Sequence, residues 1–241
     1  MNNFNFNQRP DVDRNTGRII VNDSAGLNRF LTKMYSWMGL AVLISAIVAY
    51  YAGKVAGFQT SGVSGLLLLA VWFILPFVMG RQAMKNSVVG FVELMVYAGL
   101  TGLMFSDLFV MYTGATLTSA FVSSASVFVA MSAVGVFTKR SLAKLGTQLF
   151  GALIGLLVAM VVNIFLHSPA VALFLSLAAV VIFSLLTMFD AHRMKALYNN
   201  FHGQVSVNGL AINGALELYL DFINIFISLV EIFGGYGNNN R

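Results

Sequence analysis

The chain contains no cysteine. Disulfides, thiolate metal centres, a cysteine nucleophile and S-palmitoylation are therefore excluded. Charge is nearly as scarce. Asp, Glu, Lys and Arg make up 10% of the 241 residues, against about 25% in a soluble domain, which leaves no room for a sizeable soluble domain. Histidine occurs only at His167, His192 and His202, without metal-ligand spacing, so no transition-metal site is expected. A P-loop, a dinucleotide fingerprint, a Gly-x-Ser-x-Gly elbow and a His-Glu-x-x-His helix are all missing. No nucleophile stands beside a base, so neither an enzyme nor a bound cofactor is expected. The polar N-terminal stretch through Lys33 lacks the early apolar core of a cleavable signal peptide.

What the chain has in abundance is apolar surface: 58% of its residues are hydrophobic. Seven stretches are long enough to span a bilayer: Phe30–Ala52, Gly62–Met79, Ser87–Phe105, Gly114–Phe137, Leu145–Leu166, Ala170–Phe189 and Gly209–Phe233. Helices are the natural choice, because each closes its own backbone hydrogen bonds in lipid. The runs are too long and too continuously apolar for tilted barrel strands. The fold class expected is an all-α membrane protein, a bundle of seven transmembrane helices. A polar N-terminal segment (1–29) precedes the membrane domain (30–233), and a short tail (234–241) follows it.

Basic residues set the orientation. The first segment, with the second, fourth and sixth connections, carries 12 of the 14 Lys and Arg residues, and only Lys54 and Arg241 lie on the other side. The positive-inside rule puts the N-terminus in the cytoplasm and, after seven full crossings, the C-terminus outside; a re-entrant last stretch would return the C-terminus to the cytoplasm. The same distribution accounts for the +5 net charge, so no nucleic-acid partner is expected. Small residues recur every fourth position at Gly151, Gly155 and Ala159 and at Ala41, Ser45 and Ala49. Such ridges let helices approach closely, and packing within the chain is expected of both.

The last stretch carries a polar stripe. Asn213, Glu217, Asp221, Asn224, Ser228 and Glu231 follow one another at spacings of four, four, three, four and three, within an arc of roughly 80° on a helix. A carboxylate facing lipid at mid-bilayer costs at least about 2.5–3.5 kcal/mol, so the stripe should face protein or water. An acid so placed is a candidate functional group. Glu93 lies in the third stretch, and Asp190 closes the sixth. Asp190 and Asp221 form the favoured pair, with Glu217, Asn224, Asn213, Ser228 and Glu93 as further residues of an ion pathway. Glu231, near the outer end, is expected to reach the headgroups. From Gly209 to Asp221 a helix rises about 18 Å. Asp221 is then deeper than Asp190 unless the sixth helix continues past Phe189. If the two carboxyls meet, like charges at close range cannot both ionise cheaply, and the pair shares a proton. Protonated, it holds two helices together; ionised, it repels or receives a hard cation such as calcium, with Asp221 and Asp190 as oxygen ligands.

At the same stretch the residues become recognisable. Gly214-Ala215-Leu216-Glu217-Leu218-Tyr219-Leu220-Asp221-Phe222-Ile223-Asn224-Ile225-Phe226 resembles the signature of the Bax inhibitor-1 family. Phe137-Thr138-Lys139-Arg140-Ser141-Leu142 is similar to that family's loop after the fourth span, although Ser141 stands where an acid is usual. Phe183-Ser184 through Phe189-Asp190 resembles the end of its sixth span. The resemblance implies a seven-helix fold with the last helix central, wrapped by the other six. It also implies a pH-sensitive calcium leak controlled by two aspartates, here Asp190 and Asp221, with a basic partner at or near Arg81. The expected setting is a bacterial plasma membrane, with the lipid bilayer, calcium ion and other membrane proteins as partners. The alternative is a membrane-embedded regulator of quality-control machinery such as a membrane protease, contacted through the polar N-terminal segment. An intramembrane aspartyl protease is disfavoured, because the supporting Gly-x-Gly-Asp motif is missing.

Overall fold

The structure, a computed structural model, describes residues 11–12, 19–20, 24–58, 62–201 and 204–237, without some of the side chains between 62 and 82. Among the described residues, eight α-helices follow in order: α1 (Ser24–Tyr50), α2 (Gly62–Lys85), α3 (Ser87–Met104), the single turn α4 (Leu108–Met111), α5 (Gly114–Phe137), α6 (Ala143–Leu166), α7 (Pro169–Phe201) and α8 (Val207–Gly237). A π-helical turn, Tyr51–Val55, extends α1. The pairs Asp11–Val12 and Ile19–Ile20 form a minimal antiparallel ladder. Local chemistry marks several boundaries. The Asn86 side chain accepts from the Val88 and Val89 amides at 3.0 and 3.3 Å and starts α3. The Thr113 hydroxyl accepts from the Thr116 amide and starts α5. His167, in the left-handed region at φ 50°, ends α6, and Pro169 opens α7 at the position where a missing amide costs nothing.

Several boundaries differ from those expected of the sequence. Helix α1 starts inside the segment read as polar, and α8 runs four residues into the expected tail. The sixth stretch was expected to end at Phe189, where apolarity ends. Helix α7 instead continues to Phe201, because no glycine or proline occurs between Ala170 and Phe201 to stop it. The helix thereby runs about 18 Å past Phe189 and holds Asp190 and Arg193 on a rigid element.

Among the described residues, five helical stretches are long and apolar enough to cross a membrane: Ser24–Val55, Ser87–Met111, Gly114–Phe137, Ala143–Leu166 and Pro169–Phe201. Helices α2 and α8 complete the bundle. Helix α8 is its axis. Leu210, Ile212, Leu218, Tyr219, Ile225 and Val230 are buried there, and α8 packs against α1, α2, α3, α5 and α7. The expectation of six surrounding helices needs correcting: α6 packs on α7 and turns Phe150, Ile154, Val158 and Phe165 outward.

The two small-residue ridges part company. Ala41, Ser45 and Ala49 are buried, and Gly102 of α3 lies so close to the Ser45 carbonyl that a side chain there would clash. Gly151 and Gly155 face outward with nothing near their absent side chains. The intramolecular packing expected of the α6 ridge is therefore absent at both glycines, and Ala159 alone packs against the core. Gly135 of α5 lies so close to the Met188 backbone of α7 that a side chain there would meet the Met188 carbonyl.

A buried polar network fixes α8 on the side away from its stripe. The Tyr219 and Ser45 hydroxyls lie 2.6 Å apart, and Ser45 donates to the Ala98 carbonyl at 2.8 Å. Trp72 Nε1 donates to Thr101 Oγ1 at 2.9 Å. The Tyr97 and Tyr219 rings meet edge to face. These contacts tie α1, α2, α3 and α8 together.

Candidate functional site

The stripe on α8 faces α7, which answers it with Thr187, Asp190 and Arg193, one helical turn apart from one to the next. This seam is the candidate site. The Asp190 and Asp221 carboxyls lie within hydrogen-bonding reach of each other, with Thr187 beside Asp221. Asp221 is 4% exposed. The Thr187 hydroxyl points its hydrogen back at the Phe183 carbonyl, 2.8 Å away. Asp221 Oδ2 is buried and has no donor among the described residues. An acceptor left bare in a dry site costs about 1–3 kcal/mol, more when charged. A proton held between the two carboxyls removes that cost.

One turn further along, Arg193 closes the seam. Its Nη2 donates to Glu217 Oε1, and its Nη1 is 3.8 Å from Asp190 Oδ1. Its guanidinium lies over the Phe189 ring, 6.0 Å from the centroid. Asn213 Nδ2 also donates to Glu217 Oε1, at 3.0 Å. Glu217 Oε2 and Arg193 Nε are buried without partners among the described residues. Among the described residues, Arg193 is the cation beside these acids, and it meets two of the three, Asp190 and Glu217. With every acid ionised these four groups would carry an excess of two negative charges. A proton on the aspartate pair reduces that excess to one.

The remaining candidates are placed differently. Asn224 Nδ2 donates to the Leu220 carbonyl at 2.7 Å and Ser228 Oγ to the Asn224 carbonyl at 2.8 Å, so both satisfy themselves on their own helix. Glu231, read from the sequence as a headgroup contact, accepts from the buried Ser176 hydroxyl of α7 at 2.5 Å. Glu93 sits on α3, which packs on α1, α2 and α8 and not on α7. It is not among the groups that act on Asp190, Glu217 or Asp221. Helix α2 carries Arg81 towards the start of α8, where Gly209 abuts the Ala83 backbone, but the Arg81 side chain lies outside the described residues. Among the described residues, no group of three or more acids or histidines is arranged to hold a metal ion. Asp190 Oδ1 and Glu217 Oε1 are turned to Arg193 instead.

Sequence reasoning missed Arg193 and Thr187. Their spacing of three on either side of Asp190 was the available signal, but a base at the end of an apolar run reads first as an orientation anchor. Lys195, another such base, donates to the Val136 carbonyl at 2.6 Å and so caps the end of α5.

Similarity to known proteins agrees with this architecture. Residues 27–239 match the family described as inhibitor of apoptosis-promoting Bax1. The chain is 38% identical to the uncharacterized protein YrjE of Lactococcus lactis over an alignment covering 99% of this chain and 98% of that one. It is 39% identical to the uncharacterized membrane protein SpyM3_0260 of Streptococcus pyogenes, across 90% and 96% of the two chains. It is 37% identical to the inner membrane protein YbhL of Escherichia coli, across 89% and 95%. With a match over nearly its whole length and bacterial membrane proteins as relatives, the chain belongs to the Bax inhibitor-1 family.

Proposed function

We propose that this membrane protein is a proton-gated leak pathway for cations, calcium foremost, along the seam between α7 and α8. The reading rests on one observation: the Asp190 and Asp221 carboxyls adjoin in a buried site where Asp221 Oδ2 has no donor among the described residues. With a proton between them the carboxyls attract, and α7 stays against α8. Without it they repel across a medium of low dielectric, and the seam loosens. Arg193 holds the next turn shut through Glu217 and Asp190. An arriving cation competes with that guanidinium for the same oxygens. In this reading all seven long helices cross the plasma membrane, with the N-terminus in the cytoplasm and the C-terminus outside.

The test is calcium entry into liposomes containing the purified protein, followed from acid to mildly alkaline pH. Flux should rise with pH as the pair loses its proton. The Asp221→Asn variant cannot share a proton in this way, so its flux should no longer follow pH. A variant that keeps both the flux and the pH response of the parent would refute the gating role.

A further inference from the structure

Helices α1 and α5 are both neighbours of α8, yet they do not close against each other. Helix α1 packs on α3 and α8, and α5 packs on α7 and α8. Between them runs a crevice whose floor is α8 itself. The principal tie across it is the hydrogen bond between the Tyr35 and Ser132 hydroxyls. The crevice holds two chambers, of about 590 and 330 Å³. Val42, Phe121 and Phe222 line both and so form the partition between them.

Position and depth identify what fits. Along α1 the crevice runs from Leu31 to Ala49, roughly 27 Å at 1.5 Å per residue. The hydrocarbon core of a bilayer is about 30 Å thick. The partition at Val42 falls near the middle of that run, so each chamber corresponds to one leaflet. The helix faces flanking the crevice expose Leu43, Ile47, Val122 and Val129, as a surface bathed in acyl chains would. The floor and far wall are an aromatic ladder: Phe128 meets Phe222 at 5.7 Å, Phe222 meets Phe121 at 5.7 Å, and Phe121 meets Phe226 at 6.4 Å.

We propose that this crevice is a lipid-binding site in which each chamber holds one phospholipid acyl chain from its own leaflet. The proposal is independent of proton gating. No hydrophobic gain drives an acyl chain from the bilayer into an apolar crevice, because lipid tails are as apolar as the walls. The driving force is dispersion: a void forfeits contacts with every atom that lines it. A chain seated on aromatic rings between two helices makes contacts on three sides, whereas a chain on the outer face of α6 makes them on one. It should therefore exchange more slowly than bulk lipid. Gly39 lines the larger chamber, and a side chain built there meets nothing. The Gly39→Leu substitution should fill the chamber without disturbing the helices.

The experiment uses the full chain in bilayers containing a phosphatidylcholine with a photoreactive group in its acyl chain. After irradiation, adducts are mapped by mass spectrometry. Labelling on the α5 wall, at Phe128 and Val129, should exceed labelling on the outer face of α6, at Val158 and Val161, by several-fold. Gly39→Leu should lower the α5 labelling by several-fold and leave α6 unchanged. Equal labelling of the two helices in the parent would overturn the proposal, whatever the variant does. So would a crevice protected from lipid by a second copy of the chain, seen as protein–protein crosslinks at Phe128 in place of lipid adducts.

Discussion

Arg193 determines what the acids around it can do. Among the described residues it is the cation that meets Asp190 and Glu217, beside Asp221, and in the proposed pathway a mobile cation competes with it for those oxygens. Its side chain is 41% exposed and that of Glu217 is 22% exposed. The pair is therefore worth less than a fully buried one, whose disruption costs about 3–5 kcal/mol. Replacing Arg193 by Met should destabilise the detergent-solubilised protein by about 1–2 kcal/mol, because Glu217 is left with an uncompensated charge. Adding Glu217→Leu should recover most of that loss. Chemical denaturation midpoints of the parent and the two variants check this, and a double variant no more stable than Arg193→Met would show that the ion pair is not the source. At this scale the sequence was legible wherever polarity was out of place. An acid in an apolar run has to be explained, so Asp190, Glu217 and Asp221 stood out. A base near a helix end has a ready explanation in topology, so Arg193 did not.

Helix packing in this protein is governed by where a side chain is missing. Gly135 lies against the Met188 backbone, whereas Gly151 has open space around it. Gly135→Ala should force α5 away from α7 and cost about 1–3 kcal/mol, the range for overpacking a close contact. Gly151→Ala should be neutral or stabilising by up to about 1 kcal/mol, since alanine is the better helix former. The same denaturation measurement distinguishes the two, and equal effects would contradict the packing described. The helices themselves could be read from apolar length alone, but their ends and faces were less accessible. The unbroken apolar run stops at Phe189, but the helix continues because nothing in its sequence breaks it, and Ala191, Met194 and Tyr198 remain in the core. The ridges of α1 and α6 share one spacing, yet the α1 ridge is buried while the two glycines of the α6 ridge face outward, since spacing specifies a stripe and not the partner it meets.

At the scale of the whole molecule, α8 is enclosed by α1, α2, α3, α5 and α7, and its two sides differ in kind. The Tyr219 side is fastened through Ser45 to α1 and α3, whereas the stripe side meets α7 through titratable groups. Motion that accompanies loss of the shared proton should therefore be that of α7 against a unit of α1, α3 and α8. Orientation is testable because the chain has no native cysteine. Met111 and Ser141 are exposed on successive connections. A membrane-impermeant maleimide applied to intact cells should label Met111→Cys and spare Ser141→Cys. The reverse pattern would invert the topology and with it the side from which protons reach the seam.

The central claim is that one proton sits between Asp190 and Asp221. Infrared difference spectroscopy of the protein in bilayers, recorded between acid and alkaline pH, reads protonated carboxyls directly. The account predicts a protonated-carboxyl band that disappears as pH rises and is missing from both Asp190→Asn and Asp221→Asn, because a shared proton needs both partners. A band that survives either substitution, or the lack of any such band in the parent protein, would contradict it.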